Sequence, residues 1–155
     1  MADTLRQRIV DAVIARLEGI STDDDYETDA GERVEDWPRR FDETELAETA
    51  SGVILGVCDL TEETDRDDPE AQQTIQHLPL QVRIFASSET PARTLRKVIG
   101  DVITAIRSDL TWGGLAMDTK PVRNGFIIPG EGLEIAGACV EVEITYITET
   151  FNPYQ

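Results

Sequence analysis

The residues best able to do chemistry are carboxylates, and they come in two clusters. Residues 21–36 hold eight acids (Asp23, Asp24, Asp25, Glu27, Asp29, Glu32, Glu35 and Asp36) and one base, Arg33. Oxygen ligands at that density suit a hard cation such as Ca²⁺, and the Asp23/Asp25 spacing fits the start of a calcium-binding loop. The fit then fails, because Thr28 stands where the sharp turn needs glycine and Val34 where a bidentate glutamate belongs. The second cluster gathers Asp59, Glu62, Glu63, Asp65, Asp67, Asp68 and Glu70 around one base, Arg66. No periodic element runs through it to fix a ligand geometry, so no metal is expected at either cluster.

Other chemistries lack their parts. His77 is the sole histidine, so a histidine metal site is excluded and a Ser-His-Asp triad would have to use that residue, which sits at a strand start. Cys58 and Cys139 lie in apolar, strand-like contexts with no leader segment read ahead of them, and are expected as buried free thiols. There is no glycine-rich phosphate loop and no CxxC pair, and Gly130-Glu131-Gly132 reads as a turn. The chain is expected not to be an enzyme and to need no cofactor.

The elements that would position these residues follow from periodicity. Leu80, Val82 and Ile84 alternate with Gln81 and Arg83, the period of a half-buried strand. Thr90-Pro91 then opens a helix, with Thr90 placed to cap it. Leu95, Val98, Ile99, Val102, Ile103, Ile106 and Leu110 recur within an arc of about 140°, the width of a core-facing stripe. A first helix over residues 3–19 carries Leu5, Ile9, Val13 and Leu17, with Gly19 at its end. Val10 and Ile14 widen its apolar face and Arg6 and Arg16 interrupt it, which fits either a second-subunit contact or arginines at the rim of one core.

Residues 42–50 read as a polar loop or short helical turn, and 53–60 as a buried strand. The acids of 59–70 then form the tip of a hairpin whose return strand begins near Gln73. Trp37 is expected in the core or at the sheet rim. Asn124-Gly125 is a hairpin signal, while Pro121 argues for an edge strand. In the last strand Val140, Val142, Ile144 and Tyr146 face one way, with Glu141, Glu143 and Thr145 opposite. The fold class expected is α+β: a largely antiparallel or mixed sheet covered on one face by two main helices, about 3–19 and 91–109. Residues 1–155 form a single domain, with acidic loops near 21–36 and 59–70 and an aromatic tail at 149–155.

Thirty-one acids against 14 bases leave a net charge of −17, which disfavours phosphate-neutralising DNA contacts and anionic membranes. The imbalance is local: residues 1–70 have 22 acids and 7 bases, and residues 71–155 have 9 and 7. Against that background Arg93, Arg96, Lys97 and Arg107 share the polar side of the second helix, where Asp101 is the acid read beside them. This is either a solvated face or a docking face for an acidic surface, such as another copy of the chain. Phe151 and Tyr154 close the chain, as a frayed end or a strap onto a neighbour.

The opening amphipathic helix, the strand and Thr90-Pro91 helix from Leu80 to Asp109, and the Leu110-Thr111-Trp112-Gly113-Gly114-Leu115 turn carry a resemblance that spans nearly the whole chain. Gly125-Phe126-Ile127-Ile128 and the closing strand with Phe151-Asn152-Pro153-Tyr154 complete it. The chain resembles tail terminator (tail completion) proteins of long-tailed bacteriophages. The resemblance implies an α/β subunit of a homo-oligomeric, hexameric ring at the head-proximal end of the tail, a virion neck protein assembled in the host bacterial cytoplasm. Its partners would be the tail tube protein and the head–tail connector or stopper, with genome DNA passing through the ring without specific binding.

On that reading Arg93, Arg96, Lys97, Arg107, Phe151 and Tyr154 are subunit-interface candidates. Asp23, Asp24, Asp25, Glu62, Glu63, Asp65, Asp67 and Asp68 would line a DNA-repelling lumen or face a partner, or simply keep loops soluble. The alternatives are an acidic DNA mimic that inhibits a nucleic-acid-binding enzyme, a head–tail stopper and a metal-dependent hydrolase. Mimicry wants carboxylates spaced along a rigid face, and here they cluster in loops.

Overall fold

A computed structural model describes residues 2–37, 43–65, 70, 72–87, 90–127 and 136–155. Helix α1 spans Leu5–Glu18. The Thr4 hydroxyl oxygen accepts the Gln7 N–H at 3.1 Å to cap its start, and Gly19 closes its end onto the carbonyls of Arg16 and Leu17. Strand β1 (Val34–Asp36), the five-residue helix α2 (Glu43–Ala47), β2 (Val53–Asp59), β3 (Glu63–Asp65) and β4 (Gln73–Ala86) follow. Helix α3 (Pro91–Arg107) leads into β5 (Asp118–Ile127) and β6 (Ala136–Glu149). The fold is α+β, as expected from the sequence.

The sheet runs β1-β2-β4-β6-β5, with β3 paired to the first part of β4 on the side where β2 pairs with the rest. Its spine is the antiparallel pair of 14-residue strands β4 and β6, in unbroken register from Gln73 opposite Glu149 to Ala86 opposite Ala136. Alternation puts Leu78, Leu80, Val82 and Ile84 of β4 and Val140, Val142, Ile144 and Tyr146 of β6 on one face, all buried. Both long helices cover that face: α1 lies over β1 and β2, α3 over β4 and β6. The opposite face is covered at one end, where Leu46 of α2 meets Ile54 and Phe85. Among the described residues only the β1–β2 pair is parallel, and its connection contains α2.

Several expectations change. Asn124-Gly125 is no hairpin turn: β5 runs through it, with Asn124 opposite Val140 and Gly125 opposite Cys139. Pairing with the long β6 overrides the local turn preference, and the irregularity sits instead between Pro121 and Arg123. Pro121 lacks a ladder donor, and β5 is indeed an edge strand. The connection to β6, including Gly130-Glu131-Gly132, lies outside the described residues. The hairpin tip is partly strand, because Glu63–Asp65 pairs with β4; residues 66–69, with Asp67 and Asp68, lie outside the described residues.

Helix α3 also sits differently from its stripe. Leu95, Val98, Val102, Ala105 and Ile106 are buried as the spacing requires, and so is Asp101, at 4% exposure. Ile103 and Leu110, at the far edge of the arc, are 41% and 39% exposed. At 100° per residue the buried arc is rotated by roughly 60° from the apolar one. Asp101 is the cause: its carboxylate accepts the Glu27 N–H at 3.0 Å and the Thr28 hydroxyl at 2.6 Å, drawing the acidic loop over that side of the helix. Thr90 takes the N-cap position with no side-chain cap bond, and Pro91 fills the first turn.

Candidate subunit interface

The arginines that interrupt the α1 stripe are tied within the chain. Arg6 donates from Nε to Asp59 Oδ2 at 2.6 Å and from Nη2 to the Leu60 carbonyl at 2.8 Å, pinning the base of the acidic hairpin to α1. Arg16 lies 4.0 Å above the Trp112 ring and donates to the Asp109 carbonyl at 2.5 Å. Rim arginines of a single core account for the wide stripe.

The four cations of α3 do not act together. Lys97 points toward the acidic loop, with Nζ 3.7 Å from Glu27 of the same chain. Arg96 and Arg107 lie on the opposite flank, beside Ile103 and Leu110, with the Arg96 guanidinium 5.5 Å from the centre of the Phe126 ring. Arg93 is exposed at the start of the helix. Between that flank and β5 runs an apolar groove of about 260 Å³, walled by Ile103, Ile106, Leu110, Pro121 and Val140, with Arg107, Arg123 and Glu141 at its rim. Arg123 donates to Glu141 Oε2 at 2.8 Å, which raises the guanidinium pKa. Glu141 is held below the usual carboxylate range by the Gln81 side-chain amide and then by Arg123.

Many carboxylates prove to be loop ties. Asp29 accepts the Thr22 N–H at 2.8 Å and the Thr22 hydroxyl at 2.9 Å, and the backbone bond leads in lowering its pKa. Glu32 accepts the backbone N–H groups of Ser51 and Ala50, which lower its pKa in that order. Asp109 accepts from the Thr111 hydroxyl, the Gly113 N–H and the Thr111 N–H, which bring its carboxyl to about 2. Asp23, Asp24 and Asp25 sit exposed in and just after a 3₁₀ turn at Thr22–Asp24. Glu63 and Asp65 are exposed on β3, while Glu62 accepts the Tyr146 hydroxyl. Burial, and then that carboxylate, push the Tyr146 pKa up. Among the described residues no three His, Cys, Asp or Glu side chains are grouped to hold a metal ion, and no helix is long and apolar enough to cross a membrane.

His77 lies within β4 beside Thr145 and Glu143 of β6. Cys58 and Cys139 are unbonded, and burial pushes both thiols up. Trp37 stands at the sheet rim after β1, 62% exposed at a φ of 54°. The C-terminal tail is hydrogen-bonded to its own chain rather than frayed. Leu5 donates its N–H to the Pro153 carbonyl at 2.8 Å and Thr150 to Gln72 at 2.7 Å. That turn leaves Phe151 97% and Tyr154 47% exposed. The structure thus separates the interface candidates into Arg93, Arg96 and Arg107 along α3, Lys97 with its own acidic loop, and Phe151 and Tyr154 on the terminal turn.

The groove beside β5 has no motif. Its one sequence signal is the pair Ile103 and Leu110 at the far edge of an arc that also has to accommodate Asp101. No protein-family model matches the chain, and no curated protein matches it.

Proposed function

We propose that this protein is a structural ring subunit of a phage neck, one that ends tail-tube polymerisation and joins the tail to the head connector. The reading starts from the resemblance to tail terminator proteins. Its main support in the structure is that two unlike surfaces share one chain: a cationic, apolar flank along α3 and β5, and an acidic hairpin beside an exposed aromatic turn. A closed ring needs such unlike patches, since each subunit uses one to meet the neighbour before it and the other to meet the neighbour after it. Partners on this reading are further copies of the chain, the tube protein and the connector or stopper. The acidic loop at Asp23–Asp25 would face the genome's path and repel it.

The test is mass measurement by light scattering, alone and with tail tubes, together with electron microscopy of the tube ends. A ring of about six copies, free or on tube ends, is the expected outcome. A protein that neither assembles nor caps tubes refutes the proposal. Asp23–Asp25 on the outer wall of such a ring would remove the lumen role alone.

A further inference from the structure

Helices pack about 8–10 Å apart and strands about 4.8 Å, so two helices cover about four strands. Five strands stand side by side in this sheet, and β5, at the edge beyond β6, is covered by α3 only in part. The groove along β5 is therefore a consequence of the layer count. Ile103 and Leu110 remain exposed along it, and at its rim Arg107 stands beside the Arg123–Glu141 pair.

The terminal turn is shaped to fill such a groove. Phe151 is held at a φ of 61°, a left-handed conformation that side chains disfavour, with its ring almost wholly in solvent. Hydrogen bonds on both sides enforce that geometry: Thr150 N–H to Gln72, Asn152 N–H to Glu149, and Leu5 N–H to Pro153. A rigid backbone presenting an aromatic ring loses little freedom on docking. Glu62 and Glu149 share the surface depression of Phe151, together with Arg6, which is tied to Asp59. The Glu62 and Glu149 carboxylates are opposite in charge to Arg107 at the groove rim.

We infer that Phe151 of one copy docks into the α3–β5 groove of the next, with Glu62 and Glu149 beside the ring meeting Arg107. The occupant is a second copy of this chain, chosen by charge complementarity and by the presence of both unlike surfaces on one molecule. The contact is head-to-tail: each copy offers one knob and one groove, so repetition closes a ring or extends a chain. The inference deepens the ring reading and rests on it.

The experiment uses the full chain and two surface variants, Phe151→Asp and Ile103→Glu, whose folding is checked by circular dichroism. Mass is followed by light scattering from micromolar to millimolar concentration. The wild type is expected to assemble, and each variant alone to remain monomeric, with self-affinity reduced roughly 30-fold or more, as for loss of a central aromatic anchor. An equimolar mixture of the two variants is expected to give a one-to-one dimer and nothing larger, because it contains one intact knob and one intact groove. Variants that assemble as the wild type does overturn this contact and leave the ring reading standing. A mixture without the dimer, or a wild type that stays monomeric at millimolar concentration, also overturns the contact. The ring reading fails separately, if no ring forms either free or on tube ends.

Discussion

Trp112 ties the end of the α3 flank to β5, and replacing it has a calculable cost. Its ring is 2% exposed, its Nε1–H donates to Thr119 Oγ1 at 2.8 Å, and Arg16 covers one face. Thr119 in turn donates its hydroxyl to the Leu110 carbonyl at 2.7 Å, so the cluster joins α1, the turn after α3 and the first residues of β5. Removing a buried indole takes away roughly 200 Å² of burial, about 5 kcal/mol at 25 cal/mol per Å². Partial collapse of the site brings Trp112→Ala to about 4 kcal/mol. For a chain of this size that lowers the melting temperature by about 10 °C. Trp112→Phe keeps the packing and the Thr119–Leu110 bond and loses the indole donor, for about 1–2 kcal/mol.

The backbone supplies a sharper control. Trp112 has a φ of 54°, where glycine is at ease and alanine is strained. Trp112→Gly is therefore expected to be more stable than Trp112→Ala by about 1 kcal/mol, although it removes one carbon more. Urea unfolding followed by circular dichroism, with an unchanged slope between variants, measures both differences. A Trp112→Ala cost below about 1 kcal/mol, or alanine more stable than glycine, refutes the reasoning.

Other outcomes follow from the same contacts. Asp101→Ala frees the Glu27 N–H and Thr28 hydroxyl and should cost about 2–3 kcal/mol, with faster hydrogen exchange at the Glu27 amide than in Asp101→Asn. Because the folded carboxyl of Asp109 lies at about 2, below its ordinary value, its stabilising contribution is present above about pH 4 and is lost as pH falls through about 2. The near-UV signal of Trp112 should thus hold at pH 3.5, and an Asp109→Asn variant should lose part of the acid-dependent slope. Charge reversal at Arg93, Arg96 and Arg107 should leave stability within about 0.5 kcal/mol but weaken assembly. Lys97→Glu alone should weaken it least, since Lys97 already faces Glu27.

The period-two strands at 78–86 and 138–148 were legible because one face of each is wholly apolar. The two long helices were legible because their stripes recur at helical spacing. Asp101 was not: a charged residue bordering a stripe reads as solvent-facing until the loop that satisfies it is seen. The rotation of α3, and with it the exposure of Ile103 and Leu110, follows from that one residue. Asn124-Gly125 misled because a local turn preference is small beside nine residues of pairing with β6. The basic residues of α3 were legible as a set, but their division was not, because it depends on which neighbour each flank meets.

Salt dependence discriminates between the two parts of the inferred contact. The acids of residues 1–70 repel one another within a subunit, and assembly brings some of them near the arginines of the next copy. Exposed charges of this kind act over about 10 Å at 0.1 M salt and about 3 Å at 1 M. If the glutamate–arginine pairs carried the contact, a tenfold rise in salt would dissolve the assembly. With Phe151 in the groove as the anchor, burial of its ring is insensitive to screening, so high salt should slow association while the assembled state persists. Stopped-flow association rates and equilibrium mass at the two salt concentrations separate these cases. Parallel losses in rate and in equilibrium mass would place the contact on the charges and remove Phe151 from its centre.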